Sequence, residues 1–161
     1  MLIGIDANVL IDEELGDASV KEALATIRRK IPRAQLVVPE IVVGELAKLF
    51  ELGHQGAEMT LKNLVIRGYT PLVPTGTIRS YILSTGDKIR AAGLVPEKEK
   101  NDSYIIAECA HQGCAILLSS DHHCLNAHND AADLWRLLAE DHAQNDHLIV
   151  AKPAVIARKF G

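Results

Sequence analysis

Four acidic residues of this sequence each adjoin or interrupt a run of apolar residues that a folded chain would bury. They are Asp6, Glu45, Asp102 and Asp121. A lone buried carboxylate destabilises a fold by several kcal/mol unless it is paired, neutralised or bound to a metal ion. We therefore expect the fold to bring the four carboxylates together, with hard divalent cations as their shared partner.

The length of the chain limits how many domains it can form. A chain of 161 residues predicts a single domain over residues 1–161. No apolar run approaches the roughly 18 residues of a membrane span, and Asp6 interrupts the apolar N-terminus too early for a signal peptide. We therefore expect a cytoplasmic protein, in which the three cysteines are reduced thiols.

The net charge of −4 does not by itself point to a polyanionic partner. Setting the four acids aside leaves 17 acidic residues, which balance the 17 lysine and arginine residues. Metal ions at the four acids would cancel the negative charge there. The composition is therefore compatible with a nucleic-acid substrate without indicating one.

Strand patterns and helix patterns alternate along the chain. Apolar runs predict four buried strands, at 2–5, 36–38, 115–119 and 148–150. Apolar residues at helical spacing predict helices at 18–30, 40–52, 55–67, 77–92 with a break near Gly86, 102–112 with Asn101 as the N-cap, and 130–141. This alternation predicts an α/β fold with a mainly parallel central sheet that helices cover on both faces.

The predicted elements place the four acids near one another. Asp6 and Asp121 each follow a predicted strand, and the carboxyl ends of parallel strands share the edge where ligands bind. Asp102 lies at a helix N-terminus, where the dipole favours an anion by about 0.3–1 kcal/mol. Glu45 lies on the apolar stripe of a helix and therefore needs a partner.

Each acid also has an ordinary structural explanation when it is taken alone. Asp6 and Asp102 would cap a turn or a helix, Asp121 would end a strand, and Glu45 would pair with a buried arginine. The set of four is harder to explain in this way. A structural zinc site is a separate alternative, although its spacing matches no familiar zinc finger; its ligands would be nearby histidines with Cys109, Cys114 and Cys124.

Four segments resemble, in order and spacing, the PIN-domain ribonucleases and, within that family, the VapC-type toxins of toxin–antitoxin pairs. The matching segments carry the four acids, and they are 5–10, 39–46, 101–107 and 118–121. The resemblance covers most of the chain. The sequence departs from the family pattern after Asp121, where the stretch 122–130 is unusually rich in histidine.

The resemblance implies a PIN-like (Rossmann-like) three-layer α/β/α domain with a pocket that binds Mg²⁺ or Mn²⁺ and hydrolyses RNA. Carried over by position, the catalytic and metal-binding acids would be Asp6, Glu45, Asp102 and Asp121, with Asn8 and Ser119 as polar neighbours. The resemblance also implies an antitoxin partner and a homodimer. The alternatives are a stand-alone RNA-processing nuclease, or a PIN domain that binds RNA or protein with little catalytic activity.

Substrate-binding residues are harder to identify from the sequence. Lys98 and Lys100 precede Asp102 and are candidates for holding phosphates. The basic residues at 28–33 are better explained as a solvated helix end. An aromatic content of 4% gives no indication of an aromatic platform for stacking bases.

Overall fold

The computed structural model describes residues 1–160 and has a five-stranded sheet at its centre. The strands are β1 Leu2–Ile5, β2 Gln35–Val38, β3 Thr70–Pro71, β4 Cys114–Leu118 and β5 Ile149–Ala151. Their order is β3-β2-β1-β4-β5, and every neighbouring pair is parallel. The predicted α/β class with a parallel central sheet is confirmed.

Nine helices lie within residues 1–160. They are α1 Ala7–Glu14, α2 Ala18–Lys30, α3 Glu40–Glu51, α4 Gln55–Asn63, α5 Gly76–Ala91, α6 Lys100–His111, α7 His122–Ala127, α8 Ala131–Glu140 and α9 Pro153–Phe160. Helix α6 packs against β4, α3 and α5, whereas α2 packs against α9. The helices flank the sheet and give the three-layer α/β/α arrangement. None of them, within the described residues, combines the length and the apolar character that crossing a membrane requires.

The central strands are buried because helices cover both of their faces. The side chains of Ile3 and Ile5 in β1, and of Leu117 and Leu118 in β4, are 0% exposed. Apolar residues at successive positions are what a strand covered on both faces needs. The core therefore runs through the middle of the sheet, and polar residues begin where β1 and β4 end.

The strand order reverses direction between β1 and β4. The chain starts at the centre with β1, adds β2 and β3 on one side, and then returns to add β4 and β5 on the other. In open α/β sheets this switch point opens a crevice beyond the carboxyl ends of the two strands. Asp6 follows β1 and Asp121 lies three residues after β4, so both residues border that crevice.

The expected break near Gly86 is absent, because α5 runs without interruption from Gly76 to Ala91. A Cβ atom at Gly86 would collide with the ring of Tyr104 on α6. The glycine therefore serves the close approach of two packed helices. Sequence spacing alone does not distinguish this role from a helix break, since both use a residue without a side chain.

Several predicted element bounds were also wrong. Helix α6 begins at Lys100 with Glu99 as its N-cap, so Asn101 lies inside the first turn and does not cap it. Helix α4 ends at Asn63, four residues earlier than expected, and Val65 beyond it is 74% exposed. The patterns missed three short elements, which are β3, α7 and α9. Elements of two to eight residues carry too few apolar positions for a periodic signal.

Candidate functional site

Asp6 is anchored at the end of β1 by hydrogen bonds to both of its carboxylate oxygens. It is the N-cap of α1, where Oδ1 accepts a bond of 2.7 Å from the backbone N–H of Ala7. Ser119 Oγ donates a bond of 2.7 Å to Oδ2. The residue is 3% exposed. Asp6 therefore caps α1, which is the ordinary structural role considered for it from the sequence. It also lies beside the residues that follow β4.

Ser119 and Asn8 link the segments that follow β1 and β4. Ser119 Oγ, which donates to Asp6, also accepts a bond of 3.0 Å from the backbone N–H of Asp121. Asn8 Oδ1 accepts a bond of 3.3 Å from the backbone N–H of Ser120. Asp121 in turn is the N-cap of α7 and accepts a bond of 2.8 Å from the backbone N–H of His123. These bonds fix where Asp121 lies relative to Asp6.

Asp102 and Asp121 meet at the buried thiol of Cys124. Each of these three residues offers one potential ligand atom, and the three atoms lie within 4.8 Å of one another. Cys124 is 0% exposed, and its Sγ lies 3.9 Å from Asp6 Oδ2. The thiol therefore lies where the carboxylates of Asp6, Asp102 and Asp121 come together. The sequence patterns indicate Cys124 only as a zinc ligand and do not place it beside the four acids, because they predict no helix at 122–127.

Glu45 reaches the same place from α3. A cavity of about 340 Å³ opens beside the three carboxylates of Glu45, Asp102 and Asp121. Its other lining residues are Lys48, Leu49, Leu52, Glu99 and Asn101. Asp6 does not line this cavity, because it is buried next to Ser119 and Cys124. Three of the four predicted acids therefore line one cavity, and the fourth is buried beside Cys124 of the same cluster.

Burial and mutual repulsion hold these acids in an unfavourable electrostatic state. Burial, together with the charges on Asp6 and Asp102, raises the pKa of Glu45 to about 7. Burial, together with the charges on Asp121 and Asp6, likewise raises the pKa of Asp102 to about 7. Burial also raises the pKa of Asp6, against the opposing hydrogen bond from Ser119.

The cluster lacks a cationic partner. Within residues 1–160, none of the four carboxylates forms an ion pair with a lysine or arginine. Uncompensated charge of this kind, next to an open cavity, is typical of a functional site. The donors are mainly carboxylate oxygens, which are the ligands that Mg²⁺ and Mn²⁺ prefer. The chemistry of the donor set therefore fits a hard divalent cation.

None of the basic residues considered from the sequence lines the acidic cavity. Neither Lys98 nor Lys100 is among the residues that line the acidic cavity. Arg28 pairs with Glu13 at 3.0 Å, and so belongs to a structural ion pair. Arg28 also lines a second cavity of about 450 Å³ beside the start of β2, which the carboxylate cluster does not border.

The alternative zinc site gains no support from the packing. All three cysteines are free and buried. Cys109 and Cys114 lie at the end of α6 and the start of β4, where they fill the core at the turn between the two elements. Within the part of the chain that the structure describes, Cys124 is the one cysteine that joins a cluster of potential metal ligands.

The chain matches a known family over the region that builds this site. A model of the PIN domain matches residues 3–129, a range that begins within β1, extends past β4 and includes all four acids. Comparison with curated proteins gives no match. The family match spans well over half of the 161 residues and agrees with the parallel sheet and its acidic edge. The chain therefore belongs to the PIN domain family.

Proposed function

We propose that this protein is a divalent-metal-dependent endoribonuclease that hydrolyses phosphodiester bonds of RNA at the carboxylate cluster. PIN domains are generally nucleases and usually use divalent metal ions. The observation that carries the proposal is the set of acids at the switch point. Three of them line one cavity, Asp6 is buried beside Cys124 of the same cluster, and among the described residues none of the four pairs with a lysine or arginine. The proposed catalytic and metal-binding residues are Asp6, Glu45, Asp102 and Asp121.

Mg²⁺ or Mn²⁺ is the proposed cofactor, with Asp102 and Asp121 as ligands and Asp6 as the buried anchor beneath them. When bound, a divalent ion supplies charge stabilisation for the phosphoryl oxygens and an acidified water. Ser119 orients Asp6 by donating to Oδ2, and this bond opposes the rise in the pKa of Asp6 that burial causes. Asn8 holds the segment after β4 in position through the backbone N–H of Ser120.

Glu45 is the proposed acceptor of the proton that the attacking water releases. It lines the cavity from α3, a helix that contributes no other acid to the cavity. A general base works best when its pKa lies near the working pH. Burial raises the pKa of Glu45 to about 7, which places it in that range.

The direct test is cleavage of structured and single-stranded RNAs in Mg²⁺, Mn²⁺ or EDTA by the wild type and by Asp6→Asn. We expect cutting that needs the metal and falls by at least ~100-fold in the variant, because the variant loses a buried charge of the cluster. The matched control is Asp12→Asn, an aspartate of α1 that does not line the cavity. It should cut like the wild type.

Two outcomes would count against the proposal. Cutting that survives unchanged in Asp6→Asn, or that ignores EDTA, would place the activity outside this cluster. Wild type that folds and binds RNA but does not cut would favour the alternative of a binding domain with little catalytic activity. Circular dichroism of each variant shows whether lost cutting reflects lost folding.

We further propose that the nuclease is the toxin of a toxin–antitoxin pair, with an antitoxin and a second copy of the chain as partners. The support is the resemblance of its four motif segments to VapC-type toxins. Expression of the wild type should arrest growth of a bacterial host, and Asp6→Asn should not. Absence of arrest by an active wild-type enzyme would favour a stand-alone RNA-processing nuclease. Sedimentation of the purified chain tests the homodimer.

A further inference from the structure

Lys48 is the one cation among the residues that line the acidic cavity. It follows Glu45 by three positions on α3, and residues at that spacing share one face of a helix. Its side chain is exposed, and within residues 1–160 it forms no ion pair with any carboxylate. A cation at the mouth of a negatively charged cavity is thus left available to a ligand.

Apolar side chains continue the same wall of the cavity. Leu49 and Leu52 line it next to Lys48, and Leu52 is 75% exposed. From Glu45 to Leu52 is seven residues, or roughly 10 Å along a helix axis. Along the chain, the lining of the cavity therefore passes from the acid Glu45 to the cation Lys48 and then to an apolar surface. We call Lys48, Leu49 and Leu52 the α3 wall.

We propose that the α3 wall positions the RNA strand, with Lys48 contacting a backbone phosphate beside the bond to be cut and Leu52 packing against the adjoining nucleoside. This inference rests on the proposed ribonuclease function. It assigns substrate contacts to α3, whereas the sequence had suggested Lys98 and Lys100.

The physical reason is the charge of the two partners. The cavity presents the acids Glu45, Glu99, Asp102 and Asp121, and an RNA strand is a polyanion. The acids repel an RNA strand that approaches this edge, so binding of the strand needs a cation that offsets the repulsion. Lys48 is in place for that role. An exposed leucine next to it offers apolar contact to a sugar or base, which neither water nor the acids can provide.

The two contacts can be separated by their dependence on salt. A phosphate contact releases a counterion, so its loss reduces the slope of log K against log salt by about 0.7 for a single strand. An apolar contact releases none, so its loss weakens binding and leaves the slope unchanged. A residue with only a structural role in α3 would not produce this difference between the two variants.

The experiment measures binding of a labelled single-stranded RNA to the full chain in Ca²⁺, with a gel to verify that the RNA stays intact. We expect Lys48→Gln to weaken binding by about 3- to 10-fold and to lower the slope by about 0.7. Lys48→Arg should keep both the affinity and the salt slope of the wild type. Leu52→Gln should weaken binding by a similar factor at an unchanged slope. In cleavage assays both changes should raise KM more than they lower kcat.

Matched controls are available on other helices. Lys21→Gln on α2 and Leu83→Gln on α5 replace an exposed lysine and an exposed leucine that do not line the cavity. The inference is overturned if Lys48→Gln and Leu52→Gln behave like these controls while the wild type binds and cuts RNA. If the wild type binds no RNA in the presence of metal ions, the proposed function itself is overturned, and the inference is overturned with it.

Discussion

Glu45 has a charge that the fold alone does not compensate. Its carboxylate is half-buried on α3, and burial followed by the charges of Asp6 and Asp102 raises its pKa to about 7. Residues that serve function often reduce stability in this way, because the arrangement suits a ligand and not the empty protein. The metal-free protein is therefore strained electrostatically at the residues proposed to act.

Glu45→Gln should make the metal-free protein more stable and the enzyme less active. The amide removes a charge from the cluster, so we expect a gain of about 1 kcal/mol at pH 8 in EDTA, a figure reduced because the side chain is only half-buried. Loss of the proton acceptor should lower cutting by roughly 10²–10⁴-fold. Thermal melts and RNA cleavage measure the two effects.

The control for this prediction lies on the same helix. Glu51→Gln replaces an exposed glutamate at the end of α3 and should change neither stability nor cutting. If Glu45→Gln instead lowered the stability of the metal-free protein, the carboxylate would be a structural group and its proposed role would be wrong.

At the scale of elements, a buried glutamate joins α3 to α6. Glu108 on α6 is 1% exposed, and its carboxylate accepts bonds from the backbone N–H groups of Glu40 at 2.6 Å and Ile41 at 3.2 Å. These are the first two residues of α3, whose own N-cap, Pro39, makes no side-chain cap bond. Glu108 therefore caps α3 from another helix and fixes the helix that carries Glu45 against the helix that carries Asp102.

Glu108→Gln should lower both the stability of the protein and its affinity for metal. The amide replaces a charged acceptor with a group that presents a donor to one of the two N–H groups, at a cost of about 1–3 kcal/mol. Chemical unfolding measures the first effect, and calorimetric titration with Mn²⁺ the second. Glu22→Gln on the exposed side of α2 is the control. Unchanged Mn²⁺ affinity would mean that α3 keeps its place without the cap.

At the scale of the whole molecule, the parallel sheet extends beyond the segment that matches the family. The match ends at residue 129, yet β5 pairs with β4, and α9 packs against α2 near the start of the chain. These contacts join the C-terminal elements to the sheet and to α2, and the single domain over residues 1–161 stays a prediction. The acidic cavity lies at one edge of this domain, so its charge state affects the stability of the entire fold.

The stability of the metal-free protein should fall as pH rises from about 5 to 8. The pKa values of Glu45 and Asp102 are raised to about 7 in the folded protein, above the usual carboxylate values near 4 of the unfolded chain. In this pH window the folded state therefore binds more protons than the unfolded state does. The stability that the protonated Glu45 and Asp102 contribute at lower pH is lost as the pH rises through 7. Thermal melts in EDTA across this range measure the trend.

Divalent ions should reverse this dependence. Millimolar Mg²⁺ or Mn²⁺ binds the ionised acids of the folded state, so the melting temperature should rise most at pH 8 and least at pH 5. Asp12→Asn should show the same metal response as the wild type. Melts that ignore both ions at pH 8 would contradict the metal site and leave the acids without an explanation.

The sequence by itself determined four of the five strands and the edge of the sheet at which Asp6 and Asp121 lie. Apolar runs at successive positions predict buried parallel strands, and the ends of such strands share one edge. Asp6 and Asp121 were therefore expected to be neighbours, and each borders the crevice between β1 and β4. This inference needs only local periodicity and the general geometry of α/β sheets, and the PIN domain match agrees with it.

Tertiary structure alone decided which other residues meet the acids. Glu108 caps α3 across 68 residues of sequence, and the thiol of Cys124 lies 3.9 Å from a carboxylate oxygen of Asp6, 118 residues away. Gly86 accommodates Tyr104, and Lys48 faces the cavity while Lys98 and Lys100 do not. Local patterns carry no information on such contacts, because they depend on how separate helices rotate and pack against one another.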